Sequence, residues 1–197
     1  MQGFLNISLK NIKSNWIALN NASEGKAAAV IKANSYGLGM TKVAEALVDA
    51  GCNYFYVANI NEGIDLRKKL MSKKIKIAVF EGFFEGEELV YFKYNLIPII
   101  NNLEQLSRIN NFTKQGKKLN AILNVDTGMN RLGLSLKELN FLIKNKEILD
   151  ITKWDFITSH LANAGNNKNK KNYTQLCKLK KISKCFPNIK LSLANTG

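Results

Sequence analysis

The sequence predicts an α/β fold in which parallel strands alternate with helices. Short apolar runs recur along the chain, and each is followed by a polar turn and a segment with apolar residues at helical spacing. This alternation is typical of a parallel sheet whose strands are joined by helical crossovers. At 197 residues the chain is long enough for one domain with a sizeable core. We therefore expect a single domain, residues 1–197.

Three predicted strands and their helices fill the first part of the chain. The strands are apolar runs bounded by polar residues or glycine, and they cover residues 27–32, 54–59 and 75–81. The helix after the first run begins at Thr41, buries a stripe of small and branched side chains, and ends at Gly51. The next two helices carry apolar residues at helical spacing: Ile64, Leu66, Leu70, Leu89, Val90 and Phe92.

Four further strands bring the predicted total to seven. They cover residues 96–100, 119–126, 155–160 and 190–195, and Pro98 is expected to make the first of them irregular. The intervening helices are marked by apolar spacing and by one capping box. Their marker residues are Leu103, Leu106, Ile109, Ser135, Glu138, Tyr173, Leu176, Ile182 and Phe186. An opening strand and helix are expected before the first of the seven runs, with apolar positions Leu5, Ile7, Ile12, Trp16 and Ile17.

The strong positive charge suggests a nucleic-acid partner, but the residue types disfavour one. The net charge is +14, yet only Arg67, Arg108 and Arg131 among the 29 basic residues are arginine. Recognition of phosphates and bases favours arginine interleaved with aromatic side chains, whereas these lysines are scattered over predicted helix faces. We expect no specific nucleic-acid partner, and weak nonspecific binding of polyanions at low salt stays open.

Hydropathy and cysteine usage predict a cytoplasmic protein that does not bind membranes. The chain has no run of about 18 apolar residues, and its N-terminus lacks the charged-then-apolar pattern of a secretion signal. Cys52, Cys177 and Cys185 are an odd number of cysteines without the spacing of metal ligands. We therefore expect reduced thiols and no metal site.

The segment AVIKANSYGLG, residues 29–39, is the clearest sign of chemistry. An apolar run delivers Lys32 to the carboxyl end of the first predicted strand, and polar residues and glycines follow. In strand–helix barrels that end forms the active-site face, where a desolvated lysine supplies the neutral amine that attacks a carbonyl. Pyridoxal phosphate is the cofactor that most commonly uses such an amine as a Schiff base. On these residues alone, a solvated lysine at a strand end is an equal alternative.

Three further segments share a pattern with this one. NVDTGMNRLGL, FITSHLA and LSLANTG each follow an apolar run, at residues 124–134, 156–162 and 191–197. Together the four segments resemble those of the alanine racemases, pyridoxal-phosphate enzymes that interconvert L- and D-alanine. That family has AVVKANAYGHG, VDTGMxRLG, THxA and HxANSA in this order and at matching intervals. The resemblance begins near Phe4 and reaches the last residue, Gly197.

The resemblance implies a role for each candidate residue of the first two segments. Lys32 would carry the Schiff base and act as the base on one face of the substrate's Cα. The hydroxyl of Tyr36 would donate to the cofactor phosphate. Arg131 would contact the cofactor's phenolic oxygen and the substrate carboxylate, which suits a planar fork of donors. Met129, two residues earlier, would line the same pocket.

The other two segments supply the remaining candidates by the same resemblance. His160 would pack against the cofactor ring, and Asn195 and Thr196 would bind the phosphate. Two histidines usual in the family are replaced, by Leu38 and by Ser192. Asn124 stands where some members have a carbamylated lysine and others have asparagine.

The resemblance also implies a fold and parts that the sequence given does not contain. The family has a TIM-type (β/α)8 barrel followed by a β-rich domain, so the chain is expected to be incomplete, with about seven strands and no C-terminal β domain. The family's second catalytic base, a tyrosine, comes from that domain of the partner subunit. We expect a homodimer in the family manner, or a separate C-terminal fragment that completes the site.

The function that the resemblance implies is that of an alanine racemase that supplies D-alanine for peptidoglycan, with pyridoxal 5'-phosphate as cofactor and alanine as substrate. Two alternatives stay open. The chain is a truncated barrel that binds pyridoxal phosphate without catalysis, or it is the inactive remnant of a gene.

Overall fold

The computed structural model describes residues 3–193. The chain divides into two compact units. The first comprises the chain up to Glu81 together with Tyr94–Leu96, and the second comprises Gly82–Lys93 together with the chain from Ile97 onward. The short segment Tyr94–Leu96 therefore belongs with residues that precede it by more than a dozen positions.

The first unit contains three parallel strands and four helical segments. Strand β1 pairs with β2 through Ala29 and Phe55, and β2 pairs with β3 through Phe55 and Ile77. Phe55 is fully buried at the centre of this sheet. The elements in order are α1 (Leu9–Ala22), β1 (Ala29–Val30), α2 (Lys32–Tyr36), α3 (Met40–Asp49), β2 (Tyr54–Val57), α4 (Ile60–Leu70) and β3 (Lys76–Val79).

The predicted helices of this unit are present, but the strand predicted at its N-terminus is not. Helix α3 buries the expected stripe, which includes Val43, Ala44 and Leu47. The predicted opening helix is present as α1, with Trp16 as its buried residue. The predicted opening strand is wrong, because residues 3–8 form no strand and Leu5 is 76% exposed.

A buried arginine holds the segment 94–96 to the first unit. The guanidinium of Arg67 in α4 donates to the carbonyl oxygens of Tyr94 (2.9 Å), Ile75 (2.8 Å), Asn95 (3.0 Å) and Ser72. Burial lowers the pKa of Arg67. Four acceptors in fixed positions match the planar fork of donors that arginine offers, so one side chain joins residues 72–75 to residues 94–95.

The second unit contains four parallel strands with helices between them. The strands are β4 (Ile97–Ile100), β5 (Asn120–Asn124), β6 (Lys153–Ser159) and β7 (Leu191–Leu193). Within this unit each pairs in parallel with the next. The helices are α5 (Glu88–Tyr94, whose last residue belongs to the first unit), α6 (Leu103–Lys114), α7 (Leu136–Lys144), a 3-10 helix at Lys146–Asp150, and α8 (Lys170–Cys185).

All seven predicted strands are present. Strands β1 to β5 are shorter than the apolar runs that predicted them, whereas β6 begins two residues before its run, at Lys153. Strand β4 is continuous and fully buried despite Pro98, whose effect was expected to be irregularity. Its pairing with β5 begins only at Ile99, and a proline is tolerated where the ladder does not need its missing N–H. The 3-10 helix was not predicted.

Two further expectations concern the whole chain. Cys52, Cys177 and Cys185 are free, and the latter two lie on α8 as predicted. Among residues 3–193, no helix is both long enough and apolar enough to cross a bilayer.

Candidate functional site

Lys32 lies at the carboxyl end of β1, where the backbone turns into a left-handed helix. Sheet pairing ends one residue earlier, where the Ile31 N–H donates to the Tyr56 carbonyl oxygen (2.9 Å). The next four residues after Lys32, Ala33 to Tyr36, have φ between 51° and 56°. None of them is glycine, and this conformation costs about 1–2 kcal/mol per residue. Strain of this kind is concentrated at functional sites in proteins.

The side chain of Lys32 lies on a row of aromatic rings. It is half-buried, and its Nζ is 5.4 Å from the centroid of the Phe80 ring. Phe80 stacks on Tyr56, and Tyr56 stacks on Tyr54, each pair with centroids 5.3 Å apart. A lysine ammonium group over an aromatic face is attracted by the ring quadrupole. The row therefore defines a flat apolar surface beside the amine.

The left-handed turn presents two hydroxyl groups in contrasting surroundings. Tyr36 is 64% exposed, so the turn holds a large aromatic side chain in solvent. The Ser35 side chain is buried, and its Oγ has no hydrogen-bond partner among the described residues. A buried hydroxyl without a partner is unfavourable and needs an explanation, such as a bound group.

In the second unit, the carboxylate of Asp126 organises the loop after β5. It accepts hydrogen bonds from the backbone N–H groups of Gly128 (2.8 Å), Met129 (2.8 Å) and Asn130 (3.0 Å). The loop closes where Val125 forms a parallel bridge with Leu134. The chain is thereby held in one conformation on both sides of residue 131.

Met129 and Arg131 lie on this organised loop. Met129 is half-buried and Arg131 is exposed. The guanidinium of Arg131 forms no ion pair with any residue in the described range 3–193, in contrast to Arg108, which lies near three glutamates. A loop fixed by Asp126 thus carries a cation that is available to an anion.

The predicted residue His160 follows β6 directly. Hydrogen bonds connect it to the loop that Asp126 organises, residues 126–134 (the Asp126 loop). The buried amide of Gln175 in α8 donates to the His160 carbonyl oxygen (2.8 Å) and to Thr127 Oγ1 (3.1 Å), and it accepts from the Ala162 N–H (2.9 Å). Thr127 in turn is hydrogen bonded to Ser159 Oγ (2.8 Å). One side chain therefore sets the relative position of two strand-end loops within the second unit.

The side chain of Asn124 also has a hydrogen-bond partner within the second unit. Its Nδ2 donates to Asn101 Oδ1 (2.8 Å), and the Asn101 N–H donates to Gln105 Oε1 (2.9 Å). The Asn124 amide is thus held by the residue that directly follows β4.

The predicted site residues thus fall into two sets. Lys32 and Tyr36 share one turn of the first unit, while Met129, Arg131 and His160 belong to connected loops of the second. Asn195 and Thr196 lie outside the described residues. No group of histidine, cysteine or carboxylate side chains within residues 3–193 could hold a metal ion. The roles of all these residues stay predictions.

Two positioning residues escaped the sequence analysis. Gln175 lies 48 residues from Thr127, so no local pattern could indicate their contact. Glu62 follows the N-cap residue Asn59 by three positions, which is the spacing of a capping box. That signal predicts a helix start, but it does not predict that Glu62 also accepts a hydrogen bond from Ala33 in the left-handed turn after Lys32, residues 33–36 (the lysine turn).

Comparison with known proteins identifies what this arrangement is similar to. Residues 7–197 match the family described as alanine racemase, N-terminal domain. The alanine racemase of Rickettsia bellii (strain RML369-C) is 41% identical over 170 residues, which is 86% of this chain and 41% of that protein. The alanine racemase of Rickettsia prowazekii (strain Madrid E) is 40% identical over 195 residues, 98% of this chain and 48% of that protein.

A solved structure gives the same result for the fold. The alanine racemase from Bartonella henselae, with covalently bound pyridoxal phosphate, superimposes with a TM-score of 0.92 and 37% identity over 96% of this chain and 56% of that chain. The predicted α/β class is confirmed, with seven strands of a TIM-type barrel among the described residues. The chain spans about half the length of the curated relatives that it matches.

Proposed function

The chain belongs to the alanine racemase family through its match to the N-terminal domain, and we propose that it forms the cofactor-binding half of an enzyme that interconverts L- and D-alanine. The observation that carries the proposal is the position of Lys32, a half-buried amine on an aromatic row at the start of a strained turn. The product D-alanine would serve peptidoglycan synthesis, and the unpaired cysteines suit a cytoplasmic enzyme.

Pyridoxal phosphate is the cofactor on which the family depends, and the residues of the lysine turn fit it. The Bartonella henselae relative carries this cofactor covalently bound. In this chain Lys32 would form the covalent link, and Tyr36 would donate its exposed hydroxyl to the phosphate. The buried Ser35 Oγ, which has no partner among residues 3–193, is a polar atom that a bound phosphate group could satisfy. When bound, the cofactor makes the Cα proton of alanine acidic.

The other candidates would bind and orient the substrate. Arg131 is exposed on a loop that Asp126 fixes, and it has no carboxylate partner within the described range, which suits the binding of an anion. Met129 would line the pocket and His160 would pack against the cofactor ring. Asn195 and Thr196 would contribute phosphate contacts.

Proton transfer by this chain would occur on one face of the substrate. The Lys32 side chain would take the Cα proton and return it mostly to the same face, because racemisation needs a second group on the opposite face. In the family that group is a tyrosine of the partner subunit's C-terminal domain. A longer form of this protein, as a homodimer, or a separate C-terminal fragment would supply it.

Covalent attachment of the cofactor is the first test of the proposal. The purified chain is mixed with pyridoxal phosphate, its visible spectrum is recorded, and borohydride reduction followed by peptide mass spectrometry locates the modified lysine. A visible band and modification at Lys32 are expected, and both should be lost in Lys32→Ala. The matched control is Lys76→Ala, since the Nζ of Lys76 also lies 5.4 Å from an aromatic centroid, that of Tyr54. Modification elsewhere, or none in folded protein, would refute the assignment.

The proton-transfer step is tested separately in deuterated water. D-Alanine incubated with the chain and cofactor should exchange its Cα hydrogen with little formation of the other enantiomer. Rapid conversion of L- to D-alanine by this chain alone would contradict the single-face assignment. Addition of a C-terminal fragment from a relative should increase net conversion if the site is completed by another chain.

A further inference from the structure

A carboxylate from α4 is bound to the residue that follows Lys32. Glu62 Oε1 accepts a hydrogen bond from the Ala33 N–H, and its Oε2 accepts one from the Ala58 N–H, both at 2.7 Å. Ala58 comes directly after β2. Both oxygens of one side chain therefore connect the lysine turn to the end of the neighbouring strand.

The start of α4 holds this carboxylate in place. Asn59 is the N-cap of the helix, and its Oδ1 accepts from the Glu62 N–H (3.0 Å). Glu62 lies in the first helical turn, where the helix dipole favours a negative charge. Its backbone is thus fixed by the cap while its side chain is half-buried and fully engaged.

The left-handed turn requires such a partner. Ala33 is the first of the four residues of this turn with positive φ, and its N–H lies beyond the end of the β1 pairing, so strand pairing does not supply its acceptor. A hydrogen bond to an ionised carboxylate is roughly twice as strong as one to a neutral acceptor. The bond from Ala33 offsets part of the strain in the turn, while the bond from Ala58 holds the carboxylate in place.

We propose that Glu62 is a positioning residue that fixes the backbone beside Lys32 and thereby sets the place of the Lys32 amine on the Phe80 ring. It acts through the Ala33 amide rather than by touching a reacting atom. Its relevance to catalysis rests on the proposed function. The position of the Lys32 amine, however, is a property of the protein without cofactor.

Two variants of Glu62 separate its charge from its bulk. Glu62→Gln keeps the size of the side chain but offers one acceptor oxygen, so that its NH2 group faces a backbone N–H. Glu62→Ala removes both bonds. Glu45→Gln is the matched control, because it removes the same charge from an exposed position of α3 in the same unit.

The first measurement is hydrogen exchange of the Ala33 amide by NMR, without cofactor. Exchange should be faster by about tenfold in Glu62→Gln and about a hundredfold in Glu62→Ala, with no change in Glu45→Gln. The second is the chemical shift of the Lys32 methylene protons next to Nζ. The Phe80 ring current should shift them upfield in the unmodified chain, and this shift should shrink in both Glu62 variants, as it should in Phe80→Leu.

The outcomes distinguish the inference from the proposed function. Unchanged Ala33 exchange in folded Glu62→Ala would overturn the inference. So would faster exchange with an unchanged Lys32 shift, because Glu62 would then support the fold without placing the amine. The rate of cofactor attachment at Lys32 should fall about tenfold in Glu62→Gln in parallel with the shift. If the cofactor did not attach to Lys32 in the chain without substitutions, the proposed function would be rejected. The two NMR measurements would still test the role of Glu62, because they need no cofactor.

Discussion

Gly133 offers the sharpest test of how the Asp126 loop is built. Its φ is +107°, a backbone conformation that residues other than glycine rarely adopt. A Cβ placed there would lie 2.9 Å from the Asp126 nitrogen and 2.9 Å from the Val125 carbonyl carbon, both in the backbone. Since backbone atoms cannot move aside like the end of a flexible side chain, Gly133→Ala must displace the loop that carries Arg131.

Two other glycines separate the contributions to the cost. Gly165→Ala meets open space without a positive φ, so it should be neutral or stabilise by about 0.4–1 kcal/mol. Gly116 has a φ of +85° and also meets open space, so Gly116→Ala should cost about 1–2 kcal/mol from the backbone alone. Gly133→Ala adds an overlap that costs about 1–3 kcal/mol, for a total of about 2–5 kcal/mol.

The assay is equilibrium unfolding in urea, with the free energy of unfolding compared across the three variants. The order Gly133→Ala, Gly116→Ala, Gly165→Ala, from most to least destabilised, is expected. Equal values for Gly133→Ala and Gly116→Ala would refute the reasoning, because the close backbone approach would then contribute nothing. In the Gly133 variant, binding of an anionic substrate analogue should also weaken if Arg131 acts as proposed.

Two further predictions concern the second unit. Gln175→Leu removes three hydrogen bonds and should lower the free energy of unfolding by about 3 kcal/mol. The control Gln115→Leu, at the exposed end of α6, should lower it little. A similar small loss in both variants would show that the Gln175 hydrogen bonds do not stabilise the chain. Burial raises the pKa of Glu138, but hydrogen bonds from the Ser135 hydroxyl and from the Ser135 and Leu103 amides outweigh burial and lower the pKa below its usual 4.5. Glu138 therefore contributes stability that is present above pH 4.5 and lost as the pH falls through the lowered value, so the deficit of Glu138→Gln in urea unfolding should shrink in acid; a constant deficit would count against it.

The parts of the fold that depend on local pattern were predictable. Each of the seven strands overlaps its apolar run, although β6 begins two residues earlier, and the capping box of Ser135 and Glu138 is present in both directions. Helix α8 shows where pattern fails. Its spacing indicated an apolar stripe through Leu176, but the residues that it buries are Gln175 and Leu179, because the glutamine amide finds polar partners on two loops.

The conformation of the lysine turn could not be predicted from its own residues. Lysine at a strand end was expected, but nothing in Ala33 or Ser35 favours a positive φ. The turn depends on a hydrogen bond to Glu62, which is 29 residues away in sequence. The family resemblance supplied the candidate side chains of the site, whose roles stay predictions, whereas the groups that hold these side chains follow only from the folded chain.

The guanidinium of Arg67 has a consequence for the order in which the chain can fold during synthesis. Two of its four carbonyl partners belong to Tyr94 and Asn95, beyond a stretch of chain that belongs to the second unit. A nascent chain that has emerged only to Glu81 contains every strand of the first unit but leaves this buried cation half-coordinated. The ribosome must therefore deliver the beginning of the second unit before the first can close, and a fragment cut at Glu81 should be more readily digested by proteases than one that ends after Leu96.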